Sequence, residues 1–135
     1  MIKSIAVPID GSKYSYKASD YAIELASKFD ATLVLIHVLD EASYSSFDAL
    51  EDNGEEILKK VALKAHEKNI ATVEHLITGD ALRDMKTIVE KSRADLVVIH
   101  RFGKNLFTED LNLNQIGSVA DRLLKTSEIP VLLVK

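Results

Sequence analysis

Short apolar or β-branched runs recur along the chain at Ser4–Pro8, Thr32–Val38, Thr72–Ile77, Leu96–Ile99 and Val131–Val134, and each predicts a β-strand. The runs at 32–38, 96–99 and 131–134 are almost continuously apolar, as expected of strands covered by helices on both faces. Thr72–Ile77 alternates more and is expected at a sheet edge. Between these runs, apolar residues repeat at helical spacing. Ala18, Tyr21, Ala22, Leu25 and Phe29 form one stripe, and Ile57, Val61 and Ala65 a second. Leu82, Met85, Ile88 and Val89 form a third, and Ile116, Val119, Leu123 and Leu124 a fourth. All four read as core-facing. Asn53-Gly54-Glu55-Glu56 has capping-box spacing and places the start of the second helix near Glu55.

Strands alternating with helices predict an open α/β sheet, because parallel neighbours need a crossover that a helix supplies. The expectation is a single doubly wound, three-layer domain over residues 1–135. Two weakly structured connections, Asp40–Asp52 and Arg101–Asn114, follow strands and therefore fall at the carboxyl edge of the sheet. Ligands of open α/β sheets bind at that edge, near the point where strand order reverses.

Composition narrows the function. There is no Cys, which excludes disulfides and thiolate catalysis and suits a reducing compartment. Lys and Arg number 17 against 21 Asp and Glu, a formal charge of -4 without a basic block, so nucleic acid is not an expected partner. No run approaches a membrane span and the opening MIKSIAVPIDGS lacks a secretory core, so the expected location is cytoplasmic.

Two short stretches can carry chemistry. In Val7-Pro8-Ile9-Asp10-Gly11-Ser12, a carboxylate just past a strand end can accept hydrogen bonds from a ribose, and Gly11 permits a tight turn. The same residues also suit a turn in which Asp10 bonds only its neighbours. Gly117-Ser118-Val119 opens the last predicted helix, where free N–H groups favour a phosphate and glycine lets it approach. The plainer reading is a helix start with Ser118 as N-cap. Neither a Walker loop nor G-x-G-x-x-G occurs.

Taken in order, "IAVPIDGS", "LIHVLD", "TGDA", "ADLVVI" and the ending "GSVADRLLKTSEIPVLLVK" resemble the universal stress protein family over essentially the whole chain. The resemblance implies an adenine nucleotide alpha hydrolase-like fold with five parallel strands in the order 3-2-1-4-5. It also implies a homodimer through the last strand, here Val131–Val134. Many members bind ATP through G-x2-G-x9-G-S/T after the fourth strand, with magnesium accompanying the nucleotide. By this resemblance Pro8 and Asp10 flank the adenosine, Val38 reads the adenine edge, and Ile99, His100, Gly103, Gly117, Ser118 and Val119 complete the site.

The chain departs from that pattern at two points. His100 stands at the first glycine, and thirteen residues, 104–116, separate Gly103 from Gly117 where the pattern has nine. A Cβ and an imidazole at that glycine can block a phosphate, in which case glycine at position 100 would tighten binding. Glu109 and Asp110 would repel one. Conversely, a protonated His100 can bond a phosphate, and Arg101 and Lys104 add positive charge.

Other readings stand beside this one. Asp10, His37 and His100 would gather at one edge, but His37 can equally point into a helix layer, and no metal is expected. His66 and His75 read as surface residues. No recognisable catalytic set occurs, so an enzymatic role is not assigned, and ATP hydrolysis would be slow at most. The alternative is a dimeric protein-interaction module that binds no nucleotide, using Leu106, Phe107, Leu111, Leu113 and Ile116 as a contact patch. Tyr44 and Phe47 can cover an adenine or cap a helix, whereas Glu55, Lys59, Lys60 and Lys64 read as a solvated face.

Overall fold

A computed structural model describes residues 1–40, 47–103 and 115–135, together with the backbone but not the side chains of residues 47 and 48. The elements are β1 (Ser4–Pro8), α1 (Lys13–Phe29), β2 (Thr32–Asp40), α2 (Phe47–Glu67), β3 (Thr72–Gly79), α3 (Ala81–Lys91), β4 (Leu96–His100), α4 (Ser118–Thr126) and β5 (Val131–Val134). All strand pairs are parallel and the order is β3-β2-β1-β4-β5. This is the adenine nucleotide alpha hydrolase-like arrangement, with β3 at an edge as its alternation predicts.

The continuous apolar runs arise because successive side chains enter opposite helix layers. Ile5, Val7, Leu33, Leu35, Leu96 and Val98 join the core under α1 and α2, with Ala18, Ala22, Ile57, Val61 and Ala65. Ala6, Val34, Ile36, Val97 and Ile99 join the opposite core with Met85, Val89, Ala120 and Leu123 from α3 and α4. Glu55, Lys59, Lys60 and Lys64 lie exposed, as their pattern predicts.

Three expectations need correction. Tyr21 and Phe29 of the first stripe are about half exposed, as are Leu82 and Leu124 to a lesser degree, because the narrow faces of their helices are filled by other residues. Helix α2 begins at Phe47, well before Glu55, so the Asn53–Glu56 capping pattern falls inside a helix. Gly54 is there for space: a Cβ on it would come within 2.6 Å of Leu76, 2.9 Å of His37 and 3.2 Å of Leu39. The glycine thus marks close helix–sheet packing and not a helix end. Finally, Ile116 precedes α4 and is partly exposed.

Candidate functional site

β1 pairs with β2 on one side and β4 on the other, so strand order reverses beside its carboxyl end. A cleft of about 800 Å³ opens there. Its walls include Pro8, Asp10, Val38, Ile99, His100, Gly103, Gly117, Ser118 and Val119, every residue the sequence nominated for the site. They come from the ends of β1, β2 and β4 and the start of α4.

The β1–α1 turn holds Asp10 firmly. Gly11 has φ +88, a backbone conformation that favours glycine, and a Cβ on it would meet the movable Cδ1 end of Ile57 at 2.7 Å. Asp10 Oδ1 accepts the Ser12 N–H at 2.8 Å, and Ser12 in turn caps α1 by accepting the Ser15 N–H at 3.2 Å. Asp10 is therefore both a turn residue and part of the cleft wall. Its Oδ2 would lie 3.8 Å from a Cβ on Gly103, across the cleft floor.

The two glycines of the altered loop meet. The Gly117 N–H donates to the Arg101 carbonyl, and a Cβ on Gly117 would stand 3.1 Å from the Gly103 nitrogen and 3.3 Å from that carbonyl. Gly117, not Ser118, is the N-cap of α4, and it offers no side-chain hydrogen bond to the first turn. The leading N–H groups of α4 therefore keep their capacity for an external acceptor. Residues 104–114 of this longer connection lie outside the described residues. So do Tyr44, Lys104, Leu106, Phe107, Glu109, Asp110, Leu111 and Leu113.

His100 is buried at 4 % exposure and continues the face of Leu96 and Val98 towards α1. Its ring lies 5.0 Å from that of Tyr14 and 5.5 Å from that of Phe102. Nδ1 accepts the Phe102 N–H at 2.9 Å, which puts the proton of the neutral ring on Nε2. Burial, reinforced by Lys17 and Arg101, holds the imidazole below its usual range. A cationic His100 gripping phosphate is thus disfavoured at neutral pH, and the ring packs against Tyr14 of α1 and Phe102.

His37 is also committed to the fold: it is buried, and its Nδ1–H donates to the Ile9 carbonyl at 2.7 Å. Among the described residues no three ligand-type side chains converge. His66 is exposed and bonds Thr72 Oγ1 at 2.9 Å, and His75 lies half-buried on β3.

The sequence reading missed Phe102 and three acidic wall residues, Asp40, Asp80 and Asp121. Asp40 ends β2 and Asp80 directly follows β3, so strand-end position at the carboxyl edge would have found both. Asp80 Oδ1 caps α3 through the Arg83 N–H at 2.8 Å, and Asp84 Oδ2 accepts the Asp80 N–H at 2.9 Å. The Arg83 guanidinium, with that N–H, lowers the Asp84 carboxyl to about 2. No described helix is long and apolar enough to cross a membrane.

With the geometry in view, comparison with known proteins is informative. The sequence pattern described as "Universal stress protein family" matches residues 1–135. A universal stress protein of Methanocaldococcus jannaschii is 33% identical, covering 100% of this chain and 83% of its own length. The universal stress protein from Archaeoglobus fulgidus in complex with dAMP has a TM-score of 0.76 at 21% identity, covering 100% of both chains. A family member from Arabidopsis thaliana with AMP bound has a TM-score of 0.70 at 21% identity, covering 98% of this chain and 91% of its own. At these identities the two structures establish a shared fold.

Proposed function

The chain belongs to the universal stress protein family, and from that premise we propose that it acts in stress response by binding an adenine nucleotide in the cleft at the carboxyl edge of the sheet. The observation that carries this reading is the joint between Arg101–Gly103 and Gly117, which leaves the start of α4 uncapped and open to the cleft. A phosphate would sit at the N–H groups of Ser118 and Val119 with the Ser118 hydroxyl beside it. Asp10 would accept from the ribose, and Pro8, Val38 and Ile99 would border the adenosine, with His100 shaping the floor as a neutral ring. The AMP-bound and dAMP-bound relatives support the adenine preference. ATP, with Mg2+ screening its phosphates, belongs to the same ligand class. The role is binding and not catalysis.

The same reading includes a cytoplasmic homodimer joined at β5. That strand bonds only β4 among the described strands, and Leu132 is partly exposed beside its outer edge. The test is mass spectrometry for a co-purifying nucleotide, followed by calorimetric titration of stripped protein with ATP and magnesium. Saturable binding that Gly117→Trp abolishes, with circular dichroism unchanged, is expected. Absence of both heat and bound nucleotide would instead favour the nucleotide-free interaction module.

A further inference from the structure

His100 stands where the family pattern has its first glycine, and its side chain helps to build the turn that follows. It ends β4, and the Arg101 N–H still bonds the Val134 carbonyl of β5 at 2.8 Å, so the chain leaves the sheet only after Arg101. The next amide, that of Phe102, is buried and donates back to Nδ1 of His100 at 2.9 Å. Packing holds the ring in that pose: the Tyr14 ring lies 5.0 Å from it and the Phe102 ring 5.5 Å, with 5.4 Å between those two. A side chain locked by packing and by a hydrogen bond acts as a strut for the backbone it bonds.

Gly117 rests on the turn so held. Its N–H donates to the Arg101 carbonyl, and a Cβ on it would stand 3.6 Å from the Phe102 carbonyl carbon and 3.1 Å from the Gly103 nitrogen. Gly117 is in turn the N-cap of α4, so the place of the leading N–H groups of α4 follows from where residues 101–103 lie. The bond from Phe102 needs a lone pair at Nδ1. Protonation puts a hydrogen there and sets two donors against each other in a buried site.

We propose that His100 is a positioning residue for the nucleotide site: its neutral ring fixes the 101–103 turn against Gly117, and protonation of Nδ1 releases that turn and weakens nucleotide binding. This rests on the nucleotide reading above and concerns the regulation of that same site. Among the described residues, the groups that face the ring are Tyr14 and Lys17 from α1, Asp10 from the β1–α1 turn and Arg101 from its own segment. Burial, then Lys17 and Arg101, favour the neutral ring while Asp10 opposes them, and the net effect places proton uptake below the ordinary imidazole value of about 6.5. Binding is therefore sustained above that value and declines as pH falls through the lower folded pKa.

The test is calorimetric titration with AMP of wild type, His100→Leu and His100→Asn, at neutral pH and through the mildly acidic range, with circular dichroism checking the fold at each point. Leucine fills space but supplies no acceptor, and should weaken AMP binding roughly tenfold or more. Asparagine, whose oxygen can accept the Phe102 N–H, should recover most of that loss. On acidification wild type should lose about tenfold in affinity relative to His100→Asn, a comparison at equal pH that cancels the titration of the AMP phosphate near pH ~6. This pH arm decides the matter should His100→Leu fail to fold. Equal AMP affinity in folded Leu and Asn variants, or wild type declining in parallel with His100→Asn or binding more tightly in acid, would overturn the proposal and leave nucleotide binding intact. Absence of AMP binding to wild type would overturn the nucleotide reading and the regulatory role with it. Hydrogen exchange in the free proteins separates the two failures, because faster exchange of the Phe102 and Gly117 amides in His100→Leu than in His100→Asn shows that His100 holds the turn whether or not a nucleotide binds.

Discussion

Gly117 sits directly against Gly103: a Cβ on Gly117 would lie 3.1 Å from the Gly103 nitrogen, although thirteen residues separate the two in sequence. The reverse contact is loose, since among the described residues a Cβ on Gly103 would meet only Asp10 Oδ2 at 3.8 Å. The two glycines are therefore not equivalent. Gly117→Ala must displace backbone and is expected to cost about 1–2 kcal/mol and to weaken AMP binding about tenfold. Gly103→Ala should remain within about 0.5 kcal/mol of wild type. Chemical denaturation of both variants checks the difference.

Replacing His100 with glycine restores the family's residue but removes a buried ring. His100→Gly loses packing against Tyr14 and Phe102 and leaves the Phe102 N–H without its acceptor. Destabilisation of roughly 2–4 kcal/mol is expected, with nucleotide binding no tighter than wild type. Tighter binding in a folded His100→Gly protein would restore the view of the imidazole as an obstruction.

The same ring makes stability depend on pH. His100 faces Tyr14 and Lys17 from α1, Asp10 from the β1–α1 turn, and Arg101 and Phe102 from its own segment. Its folded-state pKa is depressed, so as pH falls below the ordinary imidazole value of about 6.5 the unfolded chain takes up a proton before the folded one does. Stability is thus fully present above that value and declines on acidification until the lower folded pKa is passed. Denaturation midpoints between neutral and mildly acidic pH should fall more for wild type than for His100→Asn, whose side-chain oxygen can still accept the Phe102 N–H.

At the start of α3, Asp80→Ala should cost about 1 kcal/mol through loss of the cap, and Asp80→Asn much less. Asp84 behaves differently with pH because its carboxyl is lowered to about 2. Its contribution is present above the usual aspartate value of 3.8 and is lost as pH falls through about 2. The stabilities of wild type and Asp84→Asn should therefore converge in strong acid.

Strand positions and the edge placement of β3 were legible because burial on two faces or one leaves a direct imprint on apolar spacing. The start of α2 was not, because Gly54 in a capping-like pattern reads as a break until Leu76 and His37 are seen beneath it. That the nominated residues would gather at one sheet edge was legible, but the other residues lining the cleft were not. Asp10 and Gly117 announce themselves by local pattern, whereas the other acidic wall residues come from three separate segments, Asp40 at the end of β2, Asp80 just after β3 and Asp121 in the first turn of α4. The neutrality of His100 likewise depends on Tyr14 and Lys17, far away in sequence.

The most direct test of the central claim is an amide NMR titration of the full chain with AMP. The account predicts saturable shifts at Asp10, Val38, Gly103, Gly117, Ser118 and Val119, where β1, β2, β4 and α4 meet. Absence of shifts, or shifts confined to the opposite end of the sheet around Asn69–Ala71, would contradict it.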